Sequence, residues 1–244
     1  MVDGLEWVLL VAAGFVAGAI NAVAGGGSLV SFPALLAVGY GAVPANVTNS
    51  IAVLPGYAGG SVAYRRELEG QAGRVRVLGA FSGGGAVVGA ALLLLGPESL
   101  FRSLAPWLIL VAVAALAARP YVRARGARHA PGVLWALVFL GGVYGGYFGA
   151  GLGIMLLALL GAFLPDDLHR LNALKGLLSL VVAVLTALVV AVFGPVAWGP
   201  AGAMAVASLA GGHFGVGVAR RFDERGLRWV VIGYGVTVAV ILLV

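Results

Sequence analysis

The sequence predicts an all-α integral membrane protein built from two inverted-topology repeats, each made of a broken helix pair and three transmembrane helices. The composition, a series of apolar segments and the placement of basic residues between those segments predict this fold. Of the 244 residues, 61% are hydrophobic and only 10% are charged, whereas about 25% of the residues of a soluble domain are charged. So few polar side chains could not cover a water-soluble surface. We therefore expect residues 1–244 to form a single membrane domain.

Ten apolar segments divide the chain, and short polar stretches separate them. About 20 apolar residues cross a bilayer as a helix, and lipid-exposed backbone must form its hydrogen bonds internally. Every segment is therefore expected to be helical, and the two short ones, 29–38 and 154–164, either cross fully or re-enter. The segments cover residues 5–23, 29–38, 46–64, 77–95, 104–118, 133–148, 154–164, 171–193, 200–218 and 227–244.

Basic residues predict which connections face the cytoplasm. They concentrate in four connections, at residues 65–76, 119–128, 169–170 and 220–228. The other connections hold one basic residue between them, Arg102, and cover residues 39–45, 96–103 and 194–200. By the positive-inside rule the four basic connections are cytoplasmic, which places both termini outside a bacterial cytoplasmic membrane. No cleavable signal peptide is expected, because Asp3 and Glu6 rather than basic residues precede the first apolar segment.

Two repeats, residues 5–118 and 132–244, follow from this topology. Each begins with a helix pair that returns to its starting side, and three single spans follow, so the second repeat must run in the opposite direction. Inverted repeats are typical of secondary transporters, which bind substrate where the repeats meet. Several residues match at an offset of 126, namely 24–27 with 150–153, Asn46 with Asn172 and Asn49 with Lys175. Others match at an offset of 128, namely Gly83, Gly84 and Gly89 with Gly211, Gly212 and Gly217.

Two glycine-rich breaks are the first candidate for an anion site. Consecutive glycines interrupt a helix, and the N-terminus of the helix that resumes attracts anions. Packing is the alternative for the second break, because glycines at every fourth position from Gly141 to Gly153 form a smooth ridge for a neighbouring helix. The predicted site residues of the two breaks are Gly25, Gly26, Gly27, Ser28, Gly151 and Gly153.

Amide and hydroxyl side chains follow the first break. Asn46 and Asn49 are three residues apart and share a helix face, and with Thr48 they could bind an anion. Asn46 alternatively caps a helix start beside Pro44.

The matching positions of the second repeat hold Asn172 and Lys175, the one lysine of the chain. An ionisable residue in a membrane segment is a functional candidate, although a lysine near a helix start can instead reach the headgroups.

His213 lies in an apolar segment and could relay a proton, because histidine titrates near neutral pH. The alternative is a hydrogen-bonded packing residue. The chain has no cysteine and no metalloprotease, phosphate-loop or hydrolase motif. We therefore expect no enzyme activity, cofactor, metal or nucleic-acid partner.

Several stretches resemble the TauE/SafE family of sulfite and organosulfonate exporters. They are residues 18–29 (GAINAVAGGGSL), 32–36 (FPALL), 45–50 (ANVTNS), 145–151 (GGYFGAG) and 171–175 (LNALK). The resemblance covers nearly the whole chain. It departs from symmetry where Leu152 aligns with Gly26, so the second break is less glycine-rich than the first.

The resemblance implies a secondary carrier that exports sulfite, sulfoacetate or a similar anion by alternating access. An anion channel, or a carrier of another small anion, is the alternative. A membrane enzyme and a non-transporting assembly subunit fit the residues less well. The sequence leaves open the anion, the direction of transport, proton coupling and assembly into a homo-oligomer.

Overall fold

A computed structural model describes residues 3–23, 26–63, 66–118, 131–219 and 224–243. These residues form α-helices and one 3-10 turn at Arg66–Leu68, and no strand occurs among them. The helices are α1 (Gly4–Val23), α2 (Ser28–Ala37), α3 (Ala42–Ala52), α4 (Leu54–Ala63), α5 (Ala72–Leu95), α6 (Glu98–Ala118), α7 (Pro131–Tyr147), α8 (Leu152–Phe163), α9 (Leu168–Phe193), α10 (Trp198–Ala219) and α11 (Glu224–Leu243).

The helices have the length and the outer surface of an integral membrane protein, which confirms the predicted class. Within the described ranges, four helices are long and apolar enough to cross a membrane, namely α1, α5, α6 and α9. Large apolar side chains such as Trp107, Leu188 and Phe193 are exposed on the outside. That surface is unfavourable in water and suits contact with lipid chains.

The predicted segment 46–64 is wrong in where its helix begins and in its continuity. The helix begins four residues earlier, at Ala42 with Gly41 as its N-cap, so Asn46 lies inside α3 and does not cap it. The segment is also divided at Val53 into α3 and α4. Pro55 accounts for the division, because proline has no N–H to donate and disfavours helical backbone at the residue before it.

Two pairs of helices, α1 with α10 and α5 with α7, approach so closely that backbone meets backbone. A Cβ at Gly18 would overlap the carbonyl oxygen of Ser208, and one at Gly211 would overlap that of Phe15. The α5–α7 pair repeats this arrangement. There a Cβ at Gly142 would overlap the carbonyl oxygen of Ser82, and one at Gly85 would overlap that of Phe139. Small residues at membrane helix contacts permit this approach.

Aromatic side chains pack around the second helix break and fix its position. Phe148, directly after α7, meets Phe32 of α2 edge-on, with ring centroids 5.4 Å apart. Phe101 of α6 contacts both rings, at 6.3 Å from Phe32 and 6.2 Å from Phe148. Edge-to-face pairs of buried rings are favourable beyond the area they bury. The second break is therefore anchored to helices of the first predicted repeat.

A polar cluster joins α5 to the connection between α8 and α9. Arg74 Nη1 lies 2.5 Å from Asp166 Oδ2, and Arg170 Nε lies 3.1 Å from Asp166 Oδ1. Gln71, which is buried, donates from Nε2 to the carbonyl oxygens of Glu67 and Arg170. We call these five residues the Asp166 cluster. It ties together two connections that the basic residues predict to be cytoplasmic.

Candidate functional site

A small cavity lies where the two helix breaks meet α3, α4 and α9. We call it the central cavity. The lining residues are Ser28, Asn49, Ser50, Val53, Tyr57, Gly145, Phe148, Gly149, Leu152, Ser179, Val182, Ala183 and Thr186.

The first break is held by Asn21, near the end of α1. Asn21 Oδ1 accepts hydrogen bonds from the backbone N–H groups of Gly26, at 3.1 Å, and Gly27, at 2.8 Å. Gly26 has φ +148°, in the region that favours glycine. These two predicted site residues therefore shape the turn, and Ser28, the first residue of α2, lines the cavity. Gly25 lies outside the described residues.

The second break depends on glycine conformation and on Tyr144. Gly149 and Gly151 have φ +79° and +73°, which side chains rarely adopt. The Tyr144 hydroxyl donates to the carbonyl oxygen of Ala150 at 2.6 Å. Gly151 is the N-cap of α8 and Gly153 lies buried in its first turn. Of this break, Gly149 and Leu152 line the cavity.

Asn49 links α3 to α2 and faces the cavity. Its Oδ1 accepts a hydrogen bond from Ser31 Oγ at 2.5 Å. Because that oxygen is engaged, the amide Nδ2 of Asn49 is the group suited to donate to a bound solute.

The other two predicted α3 residues lie elsewhere. Asn46 Nδ2 donates at 2.8 Å to the carbonyl oxygen of Tyr147, at the end of α7. Thr48 Oγ1 accepts from the N–H of Ala197, just before α10, at 3.0 Å. Both side chains are buried and outside the cavity lining.

One face of α9 supplies polar groups to the cavity. Ser179 and Thr186 line it, and their hydroxyl oxygens are buried without a hydrogen-bond partner. Lys175 lies one turn before Ser179 on the same face, and it is buried but outside the cavity lining. Asn172, nearer the start of α9, is half-buried.

His213 lies on the exposed surface of α10, away from the cavity, and its ring meets that of Phe214 edge-on at 5.0 Å. The structure thus brings Ser28 and Asn49 together in the cavity, and Gly26, Gly27, Gly151 and Gly153 into its walls and supports. It places Asn46, Thr48, Asn172, Lys175 and His213 outside the cavity lining. Sequence reasoning gave no role to Asn21, Ser31, Tyr57, Ser179 and Thr186.

Chemically, the central cavity offers neutral hydrogen-bond donors and apolar walls. Serine, threonine, asparagine and tyrosine side chains can bind oxyanions or other small polar solutes. Val53, Phe148 and Leu152 provide apolar contact. Among the residues that the structure describes in this lining, none is charged.

Comparisons with known proteins identify the family to which the chain is similar. The family model described as "Sulfite exporter TauE/SafE" matches residues 10–242. A relative from Sinorhizobium sp., described as "Probable membrane transporter protein ORF9", is 30% identical over 147 residues, which cover 59% of this chain and 56% of the relative. The match thus spans about half the length of that curated relative. No solved structure matches the chain.

Proposed function

Because the chain belongs to the sulfite exporter TauE/SafE family of membrane proteins, we propose that it is a secondary transporter of a small sulfur oxyanion. The substrate is sulfite or an organosulfonate such as sulfoacetate, exported across the bacterial cytoplasmic membrane. The observation that carries the proposal is the central cavity. It lies between helix breaks from both halves of the chain, as substrate sites of transporters do.

The polar groups of the cavity fit an oxyanion. Asn49 can donate from its amide, because its oxygen is engaged by Ser31. Ser179 and Thr186 can donate from hydroxyls that have no other partner. Lys175, one turn away on α9, adds positive charge, and unit charges at this range still interact strongly away from bulk water.

Alternating access is supported by the exchange of contacts between the halves. The first helix of each predicted repeat, α1 or α7, packs on the fourth span of the other, α10 or α5, through the same glycine–carbonyl pattern. These contacts match Gly85 of α5 with Gly211 of α10, which is an offset of 126 residues. The sequence comparison instead matched the glycines of these two helices at an offset of 128. Such an arrangement lets one repeat rock against the other around a central site.

The predicted orientation is supported by the grouping of the connections. The Asp166 cluster joins residues 66–74 to residues 166–170, and both belong to the basic group. At the connections poor in basic residues, Glu98 Oε1 lies against Gly41, and the N–H of Ala197 donates to Thr48. Neighbouring connections thus share the side that their charge predicts, with the Asp166 cluster on the cytoplasmic side.

Counterflow in proteoliposomes tests the proposal. Vesicles loaded with sulfite or sulfoacetate and diluted into labelled substrate are expected to accumulate label above the level of empty vesicles. A carrier gives saturable, trans-stimulated uptake, whereas a channel gives neither. Uptake without trans-stimulation would replace the carrier with a channel, and no uptake of any sulfur oxyanion would reject the proposed substrates.

Lys175→Ala is expected to lower the counterflow rate about tenfold or more while the protein still inserts and remains folded. Ser103→Ala is the control, because Ser103 is exposed and bonds only the Leu100 carbonyl in the described structure. An unchanged rate in a well-inserted Lys175→Ala protein would remove Lys175 from the transport pathway.

A further inference from the structure

We infer that the central cavity binds an elongated solute with a polar group at each end and a spacer of one or two carbons, held by Thr186 at one end and Ser179 at the other. This inference rests on the proposed function and narrows its substrate. It makes Ser179 and Thr186 the residues that determine substrate length.

The two hydroxyl groups are the first observation. Ser179 and Thr186 are 1% and 2% exposed, and both hydroxyl oxygens lack a hydrogen-bond partner. A serine or threonine inside a helix usually bonds a carbonyl of the preceding turn, and a buried polar group left unpaired is unfavourable. Both residues line the same cavity. A bound solute would supply the missing partners.

Spacing along α9 separates these two donors. They are seven residues apart, which is two turns, so they share a face and lie about 10 Å apart along the helix axis. Two hydrogen bonds of about 2.8 Å each leave roughly 4–5 Å between the two acceptor atoms of the solute. A compact ion such as sulfite cannot reach both hydroxyls, whereas two acidic groups joined by one or two carbons can.

On two facing sides of the cavity, apolar residues lie between polar residues. On α9, Val182 and Ala183 lie between the two hydroxyl residues. On the facing helices α3 and α4, Val53 lies between Asn49 and Tyr57.

The facing helices run in opposite directions at this point. Gly176, before Ser179 on α9, lies against Ser61, which follows Tyr57 on α4. The Ser179 end therefore faces Tyr57 and the Thr186 end faces Asn49. Polar groups at both ends and apolar groups in the middle match a solute with two polar heads and a short alkyl spacer.

Competition in proteoliposomes containing the full chain tests this inference. Labelled sulfoacetate uptake would be inhibited with methanesulfonate, sulfoacetate, 3-sulfopropionate and 5-sulfopentanoate. The two short two-headed acids are expected to inhibit at concentrations at least tenfold lower than methanesulfonate, because each adds a hydrogen bond to a charged group. The longer acid is expected to lose this advantage. If sulfoacetate itself is not transported, labelled sulfite replaces it as the reporter.

Single substitutions test whether Ser179 and Thr186 each bind one polar group of the solute. Ser179→Ala and Thr186→Val are each expected to raise the inhibitory concentration of sulfoacetate about tenfold, to near that of methanesulfonate. Neither substitution should change the inhibitory concentration of methanesulfonate more than about twofold, because an ion with one polar group can still bind the hydroxyl that remains. Thr186→Ser keeps the hydroxyl and is expected to keep the wild-type order.

The matched control is Ser208→Ala, because the Ser208 hydroxyl is also buried and unpartnered but lies outside the cavity. Equal inhibition by one-headed and two-headed acids would overturn the inference while leaving sulfur oxyanion transport intact. The inference would also be overturned if Ser179→Ala or Thr186→Val raised the inhibitory concentrations of one-headed and two-headed acids equally. Failure of the proposed function is a different result, since it abolishes uptake of every anion by the wild-type protein.

Discussion

At the scale of single residues, Asn21 determines which backbone groups of the first helix break are already hydrogen-bonded within the protein. Its side-chain oxygen accepts from the N–H groups of Gly26 and Gly27, so these donors are engaged within the protein. At the second break Tyr144 instead engages a carbonyl, that of Ala150. The two breaks look alike in sequence, yet their backbone groups are satisfied in opposite ways. If the central cavity binds the substrate as proposed, recognition would depend more on side chains than on the N–H groups of the first break.

Asn21→Ala is expected to lower the free energy of unfolding by about 2 kcal/mol or more, because two buried N–H groups lose their acceptor at about 1–3 kcal/mol each. Asn21→Asp keeps an acceptor oxygen and should retain much of the stability. Thermal unfolding in detergent measures both. Asn172→Ala is the control, since Asn172 is half-buried and outside the cavity. A wild-type midpoint for Asn21→Ala would show that the break holds its shape without this side chain.

Single residues of the site were predictable only where they belong to a motif. Ser28 and Asn49 line the cavity and were predicted from the glycine break and the amide pair. Ser179 and Thr186 were not, because an isolated serine or threonine in an apolar helix ordinarily bonds its own backbone. The available signal was their spacing: with Lys175 they form one polar line along α9. Nothing in the local sequence indicates that Thr48 bonds Ala197 across the fold.

At the scale of elements, the apolar runs predicted where the helices lie but did not predict where they begin and end. Most of the described residues of each predicted segment lie on helices, but α5 begins at Ala72 rather than residue 77, so Arg74 and Arg76 are helical. Hydropathy marks the hydrocarbon-spanning part of a helix, and a helix continues past it into the polar region. The division at Val53 depends on Pro55, which an apolar run alone does not reveal.

Close helix packing yields a prediction with controls in the same helices. Gly211→Ala and Gly85→Ala are expected to destabilise by about 1–3 kcal/mol or more, because each added methyl overlaps a carbonyl oxygen of the partner helix. The methyl groups added by Gly202→Ala and Gly79→Ala would enter open space. These two variants should leave the free energy of unfolding unchanged or raise it by up to about 1 kcal/mol, because alanine favours helix. Unfolding midpoints of the four variants test this. Equal midpoints within α10 or within α5 would contradict the close approach.

At the scale of the whole molecule, charge placement predicts the topology, and long-range contacts supply partners that the charges do not indicate. The basic residues predict which connections share a side, and the Asp166 cluster and the Thr48–Ala197 bond agree with that grouping. The sequence held no sign that Asp166 would be the partner of Arg74, because the two are 92 residues apart. Under alternating access the Asp166 cluster is a contact between the predicted repeats that must separate when that side opens.

The Asp166 cluster also predicts a pH dependence. The hydrogen bond from Arg74 is the main cause that lowers the pKa of Asp166 below its ordinary value of 3.8. A lowered carboxyl pKa stabilises the folded state above the ordinary value, and this contribution disappears as the pH falls through the lowered pKa. Because the two arginine side chains are over a third exposed, solvent limits the contribution to about 1 kcal/mol.

Asp166→Asn is therefore expected to lower the free energy of unfolding by about 1 kcal/mol or less at neutral pH. The variant and the wild type should converge as the pH falls below 3.8. Chemical unfolding in detergent across this pH range measures the difference, and Asp3→Asn, at the exposed end of α1, controls for general charge effects. A difference that persists at low pH would mean that Asp166 acts through packing. High salt should also reduce the difference in unfolding free energy at neutral pH, because salt screens exposed ion pairs while leaving packing contacts unaffected.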